Sequence, residues 1–136
     1  MLTIKKLDSN DDFQHPDREI FVDFMHHHLG EFGDPKPAIN KSIDYAFSKA
    51  EGKGGFLLAA FAEDTLVGGL IMNNTGMSDY IPEHVLVYVA VDSRWRNRGF
   101  GRKIVEESAK YCDGNIALHV EYDNPAKRLY ERVGFE

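Results

Sequence analysis

The chain has 136 residues, 43% of them apolar and 28% charged, which is the size and composition of one folded domain and excludes a disordered chain. No apolar run approaches the roughly 20 residues that span a bilayer, and a net charge of −6 disfavours nucleic acid, so neither a membrane nor a nucleic-acid partner is expected. A single cysteine, Cys112, excludes an internal disulfide and a cysteine-based zinc site, and no metal is expected. The opening MLTIKKLDSNDD has no signal-peptide core, so the expected location is cytoplasmic.

The elements follow in chain order. LTIKK (2–6) alternates apolar and polar residues and predicts a short strand. From Pro16-Asp17, the residues Ile20, Phe21, Phe24, Met25 and Leu29 recur at helical spacing and predict an amphipathic helix ending near Gly30 or Gly33. GDPKP (33–37) breaks it. A second helix carries Ile39, Ile43, Ala46, Phe47 and Ala50 on one face and ends at EGKGG (51–55). FLLAAFAE (56–63) is nearly all apolar, as a strand covered on both faces would be. The pair Glu63-Asp64 turns it into TLVGGLIMNN (65–74), predicting an antiparallel hairpin. After a loop, HVLVYVAVD (84–92) is a β-branched strand. It leads through SRWRNRGFG into a helix over about 101–111, and IALHVEY (116–122) is a further strand. Asn124-Pro125 caps and starts a short helix that Gly134 ends. The order β-α-α-β-β-β-α-β-α-(β) predicts a single α/β domain over 1–136. It is a mixed α+β sheet, antiparallel first and with a parallel βαβ crossover later, and helices cover both faces.

Charge is unevenly spread. Residues 94–110 hold six basic residues (Arg94, Arg96, Arg98, Arg102, Lys103, Lys110) and two acidic ones, a local +4 against −10 elsewhere. A basic island in an acidic chain points to an anionic ligand. The strand ending Val89-Ala90-Val91 runs into Arg96-Asn97-Arg98-Gly99-Phe100-Gly101-Arg102 and then a helix. A helix N-terminus offers unpaired N–H groups and partial positive charge, and glycines let a phosphate approach them. Three patterns compete for such a turn. The dinucleotide fingerprint G-x-G-x-x-G lacks its third glycine at Ile104, although Glu121 lies at the distance of a ribose-binding acid. Only 35 residues follow Gly101, too few for further parallel β-α units. The Walker pattern is absent. The pattern [RQ]-x-x-G-x-[GA] after an apolar strand is satisfied in full by Arg96, Gly99 and Gly101.

With VYVAVDSRWRNRGFGRKIVEESAKY and IALHVEYDNPAKRLYERVGFE, the sequence resembles the GNAT superfamily of N-acetyltransferases. The resemblance implies the acyl-CoA N-acyltransferase fold and acetyl-CoA as co-substrate, with its pyrophosphate on residues 96–102. Val89, Ala90 and Val91 would lie along the pantetheine arm, and Asn124 would complete the cofactor site. The implied reaction is direct attack of a primary amine, on a small molecule, peptide or protein, on the thioester. A backbone N–H freed where the strand near Val89 leaves its neighbour can polarise the carbonyl. Tyr130, at the family's tyrosine position, is the expected acid for the departing thiolate. The base stays open. Glu83 shares parity with Val85, Val87 and Val89; Tyr88, His84, His119, Glu121 and ordered water are rivals. A non-catalytic acyl-CoA-binding module of the same fold is the alternative.

Several residues read more plainly. In a helix, His26, His27 and His28 point about 100° apart and cannot readily share a metal; they read as a partly exposed helix face, the alternative, implied by the resemblance, being that one of them lines the acceptor pocket. Cys112 reads as a small buried thiol and Trp95 as packing beneath the basic loop. Family members usually continue past the Gly-Phe pair with a strand hairpin, whereas this sequence stops at Glu136, so either the chain is truncated there or the sheet is unfinished. An unfinished sheet would expose the edge of 116–122, and a homodimer or lowered stability is expected.

Overall fold

The computed structural model describes residues 2–14, 17–29, 35–49, 53–74, 84–95, 98–112 and 116–118. Among them are strands β1 (Leu2–Leu7), β2 (Gly55–Ala62), β3 (Thr65–Asn74), β4 (His84–Val91) and β5 (Ile116–Leu118). The helices are α1 (Arg18–Leu29), α2 (Lys36–Ala46) and α3 (Phe100–Ala109). The sheet order is β1-β2-β3-β4-β5. The first three pairings are antiparallel and β4–β5 is parallel, with α3 as the crossover. That is the mixed sheet the patterning predicts. The short helix after Pro125 and all of the chain beyond 118 lie outside the described residues.

Strand alternation sorts the core into two layers. Leu57, Ala59 and Phe61 of β2 face Phe21, Val22 and Met25 of α1 and Ile39, Ile43 and Ala46 of α2. Phe56, Leu58 and Ala60 face the other way, against Ile104 and Val105 of α3. Each fully buried aliphatic or aromatic side chain stabilises by roughly 1.5–3 kcal/mol relative to exposure. The run FLLAAFAE is apolar throughout because both of its faces are covered.

The β2–β3 hairpin closes through Glu63 and Asp64, both left-handed at φ 50° and 67°. Two positive φ values define the turn type whose twist matches the flanking strands. Two bulges interrupt the ladders. Ala60 pairs with Gly68 but Phe61 with Leu66, leaving Val67 as an extra residue of β3. Ile71 pairs with Tyr88 but Met72 with Leu86, leaving Val87 as an extra residue of β4. A bulge shifts strand parity by one. Val87 and Tyr88 therefore both pack on the α1/α2 side, while Leu86, Val89 and Val91 pack on the α3 side. A single parity running through Val85, Val87 and Val89 is thus not kept, and Glu83, at the strand's expected start, lies outside the described residues.

α2 is also shorter than its apolar spacing predicts. It ends at Ala46, and Phe47 stands as its C-cap. The Tyr45 carbonyl accepts from both Ser48 N–H and Gly54 N–H at 3.1 Å, which closes the last turn early. Phe47 packs edge-on against Phe13, with ring centroids 5.7 Å apart.

Candidate functional site

The site is built where β4 ends. Asp92 follows Val91, a single 3-10 turn spans Ser93–Trp95, and α3 begins at Phe100 with Gly99 as its N-cap. Gly99 is left-handed (φ 77°), a conformation that costs a residue with a Cβ about 1–2 kcal/mol. The first bond of the helical ladder runs from Lys103 N–H to Gly99 C=O at 3.1 Å. Helix geometry thus leaves the N–H groups of Phe100, Gly101 and Arg102 outside that ladder. A Cβ built on Gly99 meets no atom within 4 Å, so the space over the helix start is open. α3 is held in place by its other face, where Ile104 is fully buried and Ser108 donates its hydroxyl to Val105 C=O at 2.6 Å.

Aromatic rings floor the turn. Trp95 stacks on Phe100 with centroids 5.8 Å apart and an interplanar angle of 19°, and the Arg98 guanidinium lies 4.8 Å over the indole. Trp95 therefore packs as the sequence suggests, and it also fixes where the Arg98 charge sits.

Much of the basic island is paired. Arg102 Nε donates to Glu106 Oε1 at 2.6 Å and Lys110 Nζ to Glu107 Oε1 at 3.0 Å, both on the solvent side of α3. Such exposed pairs contribute little and rearrange readily, so Arg102 stays available to an anion. Arg94 is held differently. Its Nε and Nη2 donate to the Asp92 carboxylate at 3.2 and 2.9 Å. Asp92 is buried, at 3% exposure, and lies just outside the 94–110 window in which the charge was counted. Arg94's hydrogen bonds hold the Asp92 carboxyl at about 2 against burial, which raises it, and the nearby His28 lowers it further. Asp92 is thus an anion at any ordinary pH.

Of the expected cofactor residues, the structure brings Arg98, Gly99, Phe100, Gly101 and Arg102 together at the amino end of α3, with Val89, Ala90 and Val91 on the strand before it. Arg96, Asn97 and Asn124 lie outside the described residues, as do Tyr130, Glu83, His119 and Glu121. His84 Nδ1–H donates to Asn74 Oδ1 at 2.8 Å, at the start of β4 and away from the turn. Of the histidine triplet, His26 and His27 are exposed, whereas His28 turns inward toward Asp92. Among the described residues no group of three or more His, Cys, Asp or Glu side chains is placed to hold a metal, and no helix is long and apolar enough to cross a membrane.

Sequence reasoning missed Asp92. The signal was present: an Asp two residues before Arg94 is the pattern of an Asx turn, and Arg94 N–H does donate to Asp92 Oδ1 at 2.9 Å.

A mixed sheet with helices on both faces, and a glycine-capped helix start following the carboxyl end of β4, defines an α/β protein whose helix start leaves N–H groups outside the ladder. The chain belongs to the acetyltransferase (GNAT) family, whose model matches residues 18–135. It is similar to the L-amino acid N-acetyltransferase AaaT of Escherichia coli (strain K12), at 41% identity over 54 residues. That match spans 35% of this chain and about a third (33%) of the curated relative's length. Among solved structures, the aminoglycoside N-acetyltransferase AAC(6')-Iy in complex with CoA superposes with a TM-score of 0.69 at 15% identity. That match covers 100% of this chain and 88% of that one. A GNAT-family acetyltransferase from Streptococcus pneumoniae superposes at 0.64 with 16% identity, over 100% and 88% of the two chains. These structural likenesses establish the fold.

Proposed function

We propose that the protein is an acetyl-CoA-dependent N-acetyltransferase that binds the cofactor's pyrophosphate over residues 96–102 and acetylates a primary amine. The observation that carries this reading is the left-handed Gly99 cap beneath open space, at the amino end of a helix whose N–H groups are unladdered. The residues present fit such a ligand: backbone donors, a favourable helix dipole and the Arg98 and Arg102 side chains converge there. Gly101, in the first turn of α3, keeps the approach clear. Val89, Ala90 and Val91 would flank the pantetheine arm, and Asn124 would join them.

When bound, acetyl-CoA supplies the thioester that an amine attacks. The chain's own contribution is to hold the two reactants together and to place donors. The Val87 bulge breaks the β3–β4 register, and an extra residue at a bulge is left out of the ladder pairing. The backbone N–H of such a residue can donate to a developing oxyanion. It falls two residues earlier than the divergence expected near Val89. Tyr130 would hold the proton that the thiolate takes, since a phenol of pKa about 10 stays protonated at neutral pH. The incoming ammonium would lose its proton to Glu83 or to ordered water.

The test is release of free thiol from acetyl-CoA with a panel of amines. The panel should include amino acids and aminoglycosides, the acceptor classes in the names of the similar proteins. Tyr130→Phe should lower turnover by about 10–1000-fold while changing CoA affinity little. Near-normal turnover would reduce Tyr130 to packing. CoA binding with no amine acetylated would identify a non-catalytic acyl-CoA module instead.

A further inference from the structure

The mechanism above makes no use of a buried carboxylate that sits between the cofactor turn and the first helix. Asp92 is 3% exposed, and its atoms tie three parts of the molecule together. Its N–H donates to the carbonyl of Val67, the bulge residue of β3, at 2.8 Å, and its carbonyl accepts from Trp95 N–H at 2.8 Å. Its Oδ1 accepts from Arg94 N–H, and both carboxylate oxygens accept from the Arg94 guanidinium. His28 Nε2, from the last turn of α1, lies 3.7 Å from Oδ2, the oxygen that also accepts from Arg94 Nη2.

Each partner is placed by a different constraint. Arg94 is 77% exposed at its side chain, so it gives Asp92 a solvent-screened charge that would contribute little alone. His28 is only 12% exposed. It ends α1, where the helix dipole favours a cation. Its ring packs against Phe24, centroids 4.5 Å apart, and His27, 4.6 Å apart. Among the described residues, the charged or titratable groups facing it are Asp92 at the end of β4, Arg94 beyond that carboxylate, and His27 from its own helix. The cations of α1 and α2 farther along, Arg18 and Lys36, are engaged with Asp44 and Asp23.

We propose that His28, Asp92 and Arg94 form a positioning relay that ties the carboxyl end of α1 to the turn presenting the CoA loop, so that CoA affinity follows the protonation of His28. With His28 protonated, imidazolium and guanidinium both hold the carboxylate and the Ser93–Trp95 turn is fixed beneath Arg98 and Gly99. As pH rises and His28 loses its proton, one of these two holds is lost and the turn is held by Arg94 alone. Asp92 and His28 are positioning residues; neither touches the reacting atoms. The proposal rests on the CoA reading of residues 96–102.

The experiment uses the protein's single tryptophan, Trp95, as a fluorescence reporter of CoA binding. Dissociation constants are measured from about pH 5.5 to 8.5, the range a histidine titrates in, for wild type, His28→Gln, Asp92→Asn and Asp92→Ala. CoA's own phosphate titrates in this range, with a pKa near 6, so the readout is the difference between proteins. Wild-type affinity should fall about three- to tenfold more across the range than that of His28→Gln. Asp92→Asn keeps the oxygen that accepts Arg94 N–H but not the charge, and should follow the His28→Gln profile. Asp92→Ala loses both and should bind about 10–100-fold more weakly at every pH. Identical pH profiles for wild type and His28→Gln, or wild-type affinity in Asp92→Ala, overturn the relay while leaving the CoA reading intact. A wild type that binds no CoA overturns the loop assignment, and the affinity claim with it.

Discussion

Two pairs of glycines, one in β3 and one at the start of α3, show the same residue type used for opposite ends. Gly68 and Gly69 sit side by side in the middle of β3 and face opposite layers. A Cβ on Gly68 would lie 2.4 Å from Ile104 Cδ1 of α3. One on Gly69 would lie 2.7 Å from Met25 Sδ and 3.0 Å from Phe21 Cε1 of α1. Both helices thus approach the same stretch of strand from above and below because no side chain intervenes. At Gly99 the situation is reversed: a Cβ would meet nothing within 4 Å, and only the backbone angle demands glycine. The β3 pair leaves space that the protein fills, whereas the space beside Gly99 is left open by the chain.

Substitutions separate the two cases. The largest effect is expected at Gly101→Asp, which sets a carboxylate at the helix start where a pyrophosphate would sit. A negative charge there suits the helix dipole, so the fold should survive while CoA affinity falls by about 100-fold or more. Unchanged affinity by calorimetry in the folded variant would refute the loop assignment. Next comes Gly69→Val, which drives two methyl groups into Met25 and Phe21 and should cost about 1–3 kcal/mol in urea unfolding, with CoA binding by the folded protein retained. Wild-type stability would mean that α1 slides away without resistance, and the contrast between the pairs would collapse. Smallest is Gly99→Ala, expected to cost about 1 kcal/mol of stability from the left-handed backbone, with CoA affinity lowered because the added Cβ enters the open space proposed for the pyrophosphate. No loss of stability would show that the cap relaxes out of that conformation.

The contrast also explains what could be read from the sequence. Gly99 and Gly101 were legible because their spacing from Arg96 and the preceding apolar strand is a local pattern with a chemical reason. Gly68-Gly69 read only as part of a strand, since the helices that need them lie elsewhere in the chain. The element order and the two-faced burial of β2 followed from periodicity and apolar runs. The bulges at Val67 and Val87 did not, because a two-against-one pairing depends on the neighbouring strand; the second breaks the even alternation expected through Val85, Val87 and Val89. The charge of the basic island was overcounted in effect. Asp92 lies two residues before the window and His28 far upstream, and only the folded chain brings them together at Arg94. Tyr130 and Asn124 rest on the family motif, and the relatives' fold gives that motif its context.

The tight turn at Glu63-Asp64 bears on how the sheet assembles. β2 and β3 are joined by two residues, so their pairing carries the smallest loop-closure entropy of any in the sheet. β1 joins on one side only after both α1 and α2 have been spanned, and β5 joins on the other only across α3. The central hairpin is thus the most local contact and both edges are remote ones, a topology that favours nucleation at the centre and growth outward. The two left-handed residues that close this hairpin accept local strain where the chain reverses within two residues.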